Sequence, residues 1–482
     1  NNGLKLGKSG GFINFSLDYL KQDKTFRQVP DTNASTNADA LPYFNGGRRA
    51  FGDGSVQTDG VMYNMELPIK STKTVIYSFG STNHKASDAF AYTRNLSGKP
   101  KRFPTDASGN AIYVPSIMRK SSDGETYYNP HIGTNISDAS IVLGVKGVSK
   151  KDWNWDVSFA DGKNDFQYFG DQTFNASMLG NITKTRFDDG GFRFRQATIN
   201  TDFSKQFKSV ASGLNIAYGA EFRSEKYSIN MGEEASYALY TNPYDLAGGS
   251  QGFPGFSPSD TVTATRTVFG VYGDAELNIT DKWLVDGAVR FENYSDFGSV
   301  ATFKLATRYK VNSDFNLRAS ASTGFRAPSL QQIYFSNTLT SFSAGQLVQS
   351  RIARNNDAVT KLASIPDLKE ETSINGSLGF SWKPAKGLTF TMDGYIVKVK
   401  DRVVLSGLFS ADDATLPVAL TNALKALNVS TAQFFANAVN TTNYGLDVVL
   451  DYSTKLGKGN FKALLAGNVQ NITIDDIKVP SA

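Results

Sequence analysis

Cysteine is absent from all 482 residues, so neither a disulfide framework nor a thiolate metal site can be drawn. Histidine occurs only at His84 and His131, far apart in the sequence, which leaves little for a metal centre or for histidine-based catalysis. Also missing is any run of 18 apolar residues, which excludes transmembrane helices. If this chain enters a bilayer it must cross by strands. The 50 basic and 45 acidic residues are scattered without blocks of like sign, and the net charge of +5 gives no reason to expect a nucleic-acid partner. No apolar stretch with a cleavage site lies within Asn1 to Lys8, so an export signal is expected upstream or already removed. Enzyme motifs are lacking as well: there is no GxSxG or HExxH, and the GKS at Gly7 to Ser9 has its upstream glycine, Gly3, one position away from where a phosphate loop needs it. No enzymatic activity and no cofactor are expected. No self-similar period of about 40 to 50 residues argues for a propeller.

What the chain does contain is alternation. From Phe315 to Arg326, one face carries Phe315, Leu317, Ala319, Ala321, Thr323 and Phe325, and the other Asn316, Arg318, Ser320, Ser322, Gly324 and Arg326. The same division recurs in Ile374 to Trp382, Tyr444 to Tyr452 and Phe269 to Ile279, and about fifteen such runs can be traced. Short links at 70–73, 149–152, 205–213, 280–282, 312–313, 383–387 and 454–460 alternate with long polar segments at 21–60, 85–139, 162–191, 228–265, 324–372 and 401–440. The stretch 295–300 is the one brief member of the long class. Strict alternation of this kind is the mark of an up-and-down barrel with short turns on one rim and long loops on the other. An all-β, large antiparallel transmembrane β-barrel in a bacterial outer membrane is therefore expected, with outer-membrane lipid against its greasy face.

Tryptophan gives an independent check. Trp153, Trp155, Trp283 and Trp382 all fall beside short links and share the parity of the apolar face, as an aromatic girdle at the inner membrane interface requires. Arg290, Glu292, Arg308 and Arg318 take the opposite parity, because a basic residue on the lipid side near mid-membrane costs roughly 2–4 kcal/mol. Two runs break the rule: Phe192 to Phe203 changes parity midway, and Leu388 to Lys400 is apolar on both faces. A β-bulge is one way to reconcile either run.

The stretch from Phe291 to Phe335, FENYSDFGSVATFKLATRYKVNSDFNLRASASTGFRAPSLQQIYF, resembles the C-terminal barrel of TonB-dependent receptors. LRASASTGFRAPSL at Leu317 to Leu330 is its core, and LKEETSINGSLGFSW (Leu368 to Trp382) and ANAVNTTNYGLDVVLDY (Ala436 to Tyr452) follow in the family's order. The resemblance implies a barrel of about 22 strands around an N-terminal plug. It also implies active import of a scarce nutrient of the siderophore-iron, cobalamin or oligosaccharide type, with the TonB complex pulling on the plug. No plug-like stretch precedes the first strand, and the end at Ile472 to Ala482 stops short of an aromatic-terminated last strand, so residues 1–482 are expected to be a partial barrel lacking plug and last strands. A passive porin and a surface adhesion receptor are the alternatives from other functional classes.

Ligand-contacting candidates lie at the outer mouth. Arg326, just before Pro328 ends its strand, is expected to point inward, either to an anionic ligand or a plug carboxylate, or into a structural ion pair. Tyr237, Tyr240, Tyr244, Phe253 and Phe256 share one glycine- and proline-rich loop, and Tyr334, Phe335 and Phe342 another; such rings stack on ligands or pack their loop on itself. Asp412 to Leu427 is expected to hold a short helix, as a lid or as packing. Haem import is disfavoured, because no histidine lies between Phe325 and Glu371 and the stretch where the haem-receptor motif would fall reads Ile365, Pro366, Asp367, Leu368.

Overall fold

The computed structural model describes residues 2–27, 50–70, 72–121, 124–343, 346–427 and 429–478, with the side chains of 339–348 outside that description. Nineteen strands make one large sheet. Three of them, Asn337–Ser343, Gln346–Ala353 and Phe409–Ser410, lie in loops, leaving a wall of sixteen strands, each antiparallel to the next in sequence. Long strands of alternating polarity joined by tight turns dictate this meander: a hairpin needs only a short link, whereas a parallel neighbour needs a crossover.

The wall exceeds the sequence-based count by one strand. Asn2–Leu6 pairs with Gly11–Gln22 through the turn 7–10, where Gly7 and Gly10 adopt φ of 65° and 84°. The GKSG that fails as a phosphate loop is a hairpin turn, and only glycine occupies such φ without strain.

Outward-facing side chains below the rim are apolar and uncovered by protein, as a lipid-facing wall requires: Ile374, Leu378 and Trp382 on Glu371–Ala385, Phe303 and Leu305 on Gly298–Lys310, and Phe222 on Leu214–Asn230. The inward parity carries the charges, among them Arg318, which reaches across Gly379 of the neighbouring strand to Asp393 on the strand beyond it, Leu388–Leu405.

The run Phe192 to Phe203 contains no bulge; the only register shift in its strand, Phe187–Phe207, lies between Asp188 and Gly190. Its change of parity marks the end of the membrane. From Phe207 to Ala197 is ten residues, about 33 Å along the strand and about 25 Å along the membrane normal at a tilt of about 40°, the height of a lipid-facing band. Below that level Ile199 and Phe203 face outward and Asn200 and Asp202 inward; above it Arg193 and Arg195 face outward while Phe192 and Phe194 turn in. Beyond the bilayer both sides of the wall meet water, and apolar side chains are buried only by pointing inward. In Leu388–Leu405 a bulge is present, with register shifts between Val399 and Val403 and Asp401 at φ 58°.

The ladders therefore climb well past the bilayer. Phe187–Phe207 has 21 residues and Thr431–Leu456 has 26, where about 9–11 suffice to span. The loops pack on these extensions. Helices Ala358–Leu362 and Val418–Ala426 enclose a core of Val359, Ile365, Leu420, Leu424 and Phe434 with the loop strands, and there Gln346–Ala353 runs parallel to the start of Thr431–Leu456. The helix expected within Asp412 to Leu427 is thus Val418–Ala426. Leu420 and Leu424, four residues apart on one face, are its packing contacts.

Candidate functional site

Above the membrane level the inward parity of the wall builds an aromatic vestibule. Phe166 and Tyr168 come from Asn154–Asp171, Phe192 and Phe194 from Phe187–Phe207, and Tyr227 and Ile229 from Leu214–Asn230. Loop 231–261 inserts Phe253 and Phe256 between them. The segment after Phe315–Arg326, containing the helix Leu330–Tyr334, adds Leu330, Tyr334 and Phe335 from the other side. The Tyr168 and Phe253 rings stack at 4.3 Å, Phe166 and Phe192 at 5.0 Å, and Phe335 stands edge-on to both Phe192 and Phe256 at 6.2 Å. Offset-stacked and edge-to-face pairs at these spacings add about 0.5–1.5 kcal/mol each beyond burial.

Phe256 is 0% exposed and Phe253 nearly buried, so in this conformation their rings pack the loops together and have no face free for a ligand. Tyr334 and Phe335 are half-buried against the same cluster, and the side chain of Phe342 lies outside the described residues. Tyr237, Tyr240 and Tyr244 keep part of their surface. Tyr244 donates its hydroxyl to Ala107 O at 2.6 Å and so ties this loop to the loop 91–130. Arg326 points inward and meets Glu371 directly across the strand pair, Nη2 to Oε1 at 2.5 Å; Glu371 Oε1 also accepts Val403 N at 2.8 Å. Its guanidinium therefore serves the wall, although its side chain remains 59% exposed. Of the two histidines, His131 Nδ1 lies 3.0 Å from Asp88 and 3.2 Å from Lys24 Nζ, whereas His84 sits opposite Asp59 and Ser137 lower on the sheet. The structure does not bring them together.

Loop 231–261 is seated on a buried carboxyl. Asp189 is 0% exposed; its Oδ1 accepts Ser250 Oγ at 2.9 Å, its backbone carbonyl accepts Phe256 N at 2.9 Å, and its Oδ2 has no partner. A Cβ at Gly255 would lie 1.9 Å from Ser236 Oγ, so glycine is needed for this approach. Burial, reinforced by the charges of Asp188 and Glu233, holds the Asp189 carboxyl well above the usual carboxylate range. The folded state thus favours the protonated form. Stability from this group is complete below the unfolded carboxylate pKa of about 3.9 and falls as the pH rises toward the raised folded value. Asp189→Asn is expected to flatten the thermal-stability profile between pH 4 and 7 and to raise Tm at neutral pH; a wild-type slope retained in the variant would assign the titration elsewhere.

Below the vestibule the inward wall carries an ion network that sequence patterning only half revealed. Arg290 and Glu292 were legible by parity. Arg223 and Arg266 were not singled out, although Glu221, Arg223 and Glu225 alternate in EFRSEKY and could have been found that way. Arg223 reaches Glu221 at 3.0 Å and Glu225 at 3.1 Å, Arg290 reaches Glu221 at 3.2 Å and Glu292 at 2.5 Å, and Arg266 forks onto Asp296 at 2.5–2.9 Å. Tyr294 donates its hydroxyl to Glu292 at 2.6 Å and accepts from Arg223 at 3.1 Å.

At the opposite rim, the tryptophans stand where the short turns begin. Trp283 and Trp382 are exposed outward, and Trp283 donates Nε1–H to Thr307 Oγ1 at 2.9 Å. Trp153 is edge-on to Phe207 and Tyr218 at 6.1 and 5.6 Å, and Trp155 faces Phe203 across the ladder.

The family model described as "TonB dependent receptor-like, beta-barrel" matches residues 76–480. The vitamin B12 transporter BtuB of Vibrio vulnificus (strain CMCP6) is 24% identical over 357 residues, which are 73% of this chain and 43% of that protein. The ferrienterobactin receptor of Escherichia coli (strain K12) is 26% identical over 177 residues, 35% of this chain and 22% of that one. The chain thus spans less than half the length of these curated relatives. Among solved structures, the siderophore receptor PirA from Acinetobacter baumannii superposes with a TM-score of 0.58 at 13% identity, covering 98% of this chain and 58% of that one. The RagAB peptide transporter gives a TM-score of 0.57 at 13% identity, over 98% and 50%. A greasy-out meander with short turns on one rim and packed loops on the other, matched along most of its length by that model, is a bacterial outer-membrane barrel, and the chain belongs to the TonB-dependent receptor family.

Proposed function

We propose that this wall is part of a TonB-coupled importer that captures a scarce, bulky nutrient at the outer mouth and releases it inward when a plug within the lumen is pulled. The observation that carries this reading is the roofed vestibule. Loops that interlock through Tyr244, Asp189 and the Phe253–Phe256–Phe335 cluster narrow the entrance into a built surface, which a capture site needs and an open diffusion pore does not. Ferric chelates and cobalamin, the ligands for which the relatives are named, are the first to test, followed by oligosaccharides. Tyr240, Tyr244 and Arg326 retain exposed surface and are the proposed first contacts, while Phe253, Phe256, Tyr334 and Phe335 hold the shape of the mouth. Trp153, Trp155, Trp283 and Trp382 are proposed to ride at the inner membrane interface. The wall itself is proposed to close through further strands: every residue of the edge strand Gly459–Ile477 is exposed, and an unpaired ladder has no place in hydrocarbon.

Uptake of labelled cobalamin, ferric chelates and oligosaccharides by cells expressing the full-length protein tests the reading. Accumulation of one ligand is expected to be lost when the proton gradient is collapsed or TonB is removed. Uptake that persists without the gradient, together with steady ion conductance in planar bilayers, would establish a passive pore instead.

A further inference from the structure

Three cations stand directly opposite one another on the outside of the wall. Across the strands Asn154–Asp171, Phe187–Phe207 and Leu214–Asn230, Lys163 faces Arg195 and Arg195 faces Lys226, all on the outward parity. One row higher Arg193 joins them, between Asp165 and Ser228. Like charges directly opposite on a sheet repel, so the wall gains nothing from this row on its own account. Its counter-charges are incomplete: Arg195 pairs with Asp161 at 2.9 Å and Arg193 with Asp165, while Lys163 and Lys226 make no ion pair among the described residues and are exposed. The flanking outward positions, Ser137 and Ala139 on one side and Thr263 and Thr265 on the other, bring no acid.

The height of the row identifies what it meets. One row below, Ile141, Asp161, Ala197, Ser224 and Thr267 mix polar and apolar side chains, Asp161 being the acid that meets Arg195, and the next row down, Leu143, Phe159, Ile199, Phe222 and Phe269, is an unbroken apolar stripe. A cationic row two steps above the unbroken apolar stripe, with a mixed polar row between, sits at the level of the outer-leaflet headgroups. Lysine and arginine with their stems along apolar surface and their heads raised are suited to that layer, and a phosphate offers the acceptors their N–H groups lack.

We propose that Lys163, Arg195 and Lys226, with Arg193 above them, form a site on the outer wall for the phosphorylated headgroup of an outer-leaflet lipid. The site is separate from the lumen and from the mouth, and the lipid's acyl chains lie on the apolar stripe beneath. It fixes the height of the wall in the membrane and steadies the three strands that carry the vestibule aromatics on their opposite face.

Native mass spectrometry of the full-length protein in detergent tests this, using three probes: lipid A bearing both phosphates, the same lipid dephosphorylated, and inorganic phosphate. The wild type is expected to retain phosphorylated lipid A in preference to the other two. The triple variant Lys163→Gln, Arg195→Gln, Lys226→Gln is expected to bind it about a hundredfold more weakly, at roughly fivefold per surface cation. Arg195→Lys should keep most of the affinity, and neutralising Lys361, Lys425 and Lys462, which lie elsewhere, should change nothing. A heat-modifiable electrophoretic shift confirms that each variant is folded; if the triple is not, Lys163→Gln and Lys226→Gln singly, which break no ion pair, are expected to show about fivefold losses. Equal retention by folded wild type and variant overturns the proposal. So does equal retention of dephosphorylated lipid, or capture of inorganic phosphate as tight as that of lipid A.

Discussion

Leu378→Arg is expected to block membrane assembly of the full-length protein, while Ser377→Arg, one residue away, is tolerated. Leu378 is the central residue of Glu371–Ala385, 67% exposed on the outward face and opposite Ala319 and Gly394. Arginine at such a mid-membrane position costs about 2–4 kcal/mol, because its charge must leave water for hydrocarbon. Ser377 faces the lumen and bonds Ser320 at 2.8 Å. Losing that neutral hydrogen bond costs about 1 kcal/mol, and an arginine there can stay hydrated among polar side chains. The measurement is the yield of heat-modifiable protein in outer-membrane fractions. Equal yields from the two variants would mean that the faces are assigned the wrong way round.

Arg266→Met is expected to destabilise the wall by about 3–5 kcal/mol, the usual consequence of removing one partner of a buried charge cluster. Arg266 is 2% exposed, forked onto Asp296 and 3.6 Å from Glu225, with its guanidinium 5.6 Å from the centres of the Tyr294 and Phe297 rings. Without it, Asp296 loses its forked partner, while Glu225 keeps Arg223 at 3.1 Å. Adding Asp296→Asn to Arg266→Met is therefore expected to recover part of the loss, since the uncompensated charge disappears with it. Denaturant unfolding in lipid vesicles reads both effects. A loss below about 1 kcal/mol for Arg266→Met would show that the pair is solvated like an ordinary surface bridge.

The parts of this barrel legible in the sequence are those where two solvents meet across a strand. In Phe315–Arg326 and Glu371–Ala385, lipid on one side and water on the other write a period of two that needs no further information. Above the membrane that contrast ends while the ladder continues, which is why residues 162–171 read as loop yet form strand. The parity change in Phe192 to Phe203 was visible and is the clearest imprint of the boundary, although a bulge would have produced the same pattern. Asn2–Leu6 escaped notice because five residues carry too little alternation, and the glycines of its turn resemble a phosphate-binding motif. At the mouth, composition located the aromatic loops but could not say which rings would be covered: Phe256 is sealed by Phe335 and Tyr168 from distant segments, whereas Tyr240, in the same loop, keeps exposed surface. Arg326 could be placed at the mouth by parity, but its partner Glu371 lies beyond a long intervening segment, and only the register of the facing strand reveals it.

The meander also sets an order of events during assembly. Within the wall, every strand pairs with the wall strands next to it in sequence, so each hairpin can form from local chain alone and the next can zip onto it without a long search. The parallel pairing of Ser350 with Thr431 is different. It joins segments separated by two complete membrane crossings, and its loop-closure entropy is met only once those crossings stand side by side. The cap over the mouth is therefore expected to fold last and to open first, which gives these outermost packed loops the lowest local stability in the molecule and leaves the wall beneath them untouched when the cap yields.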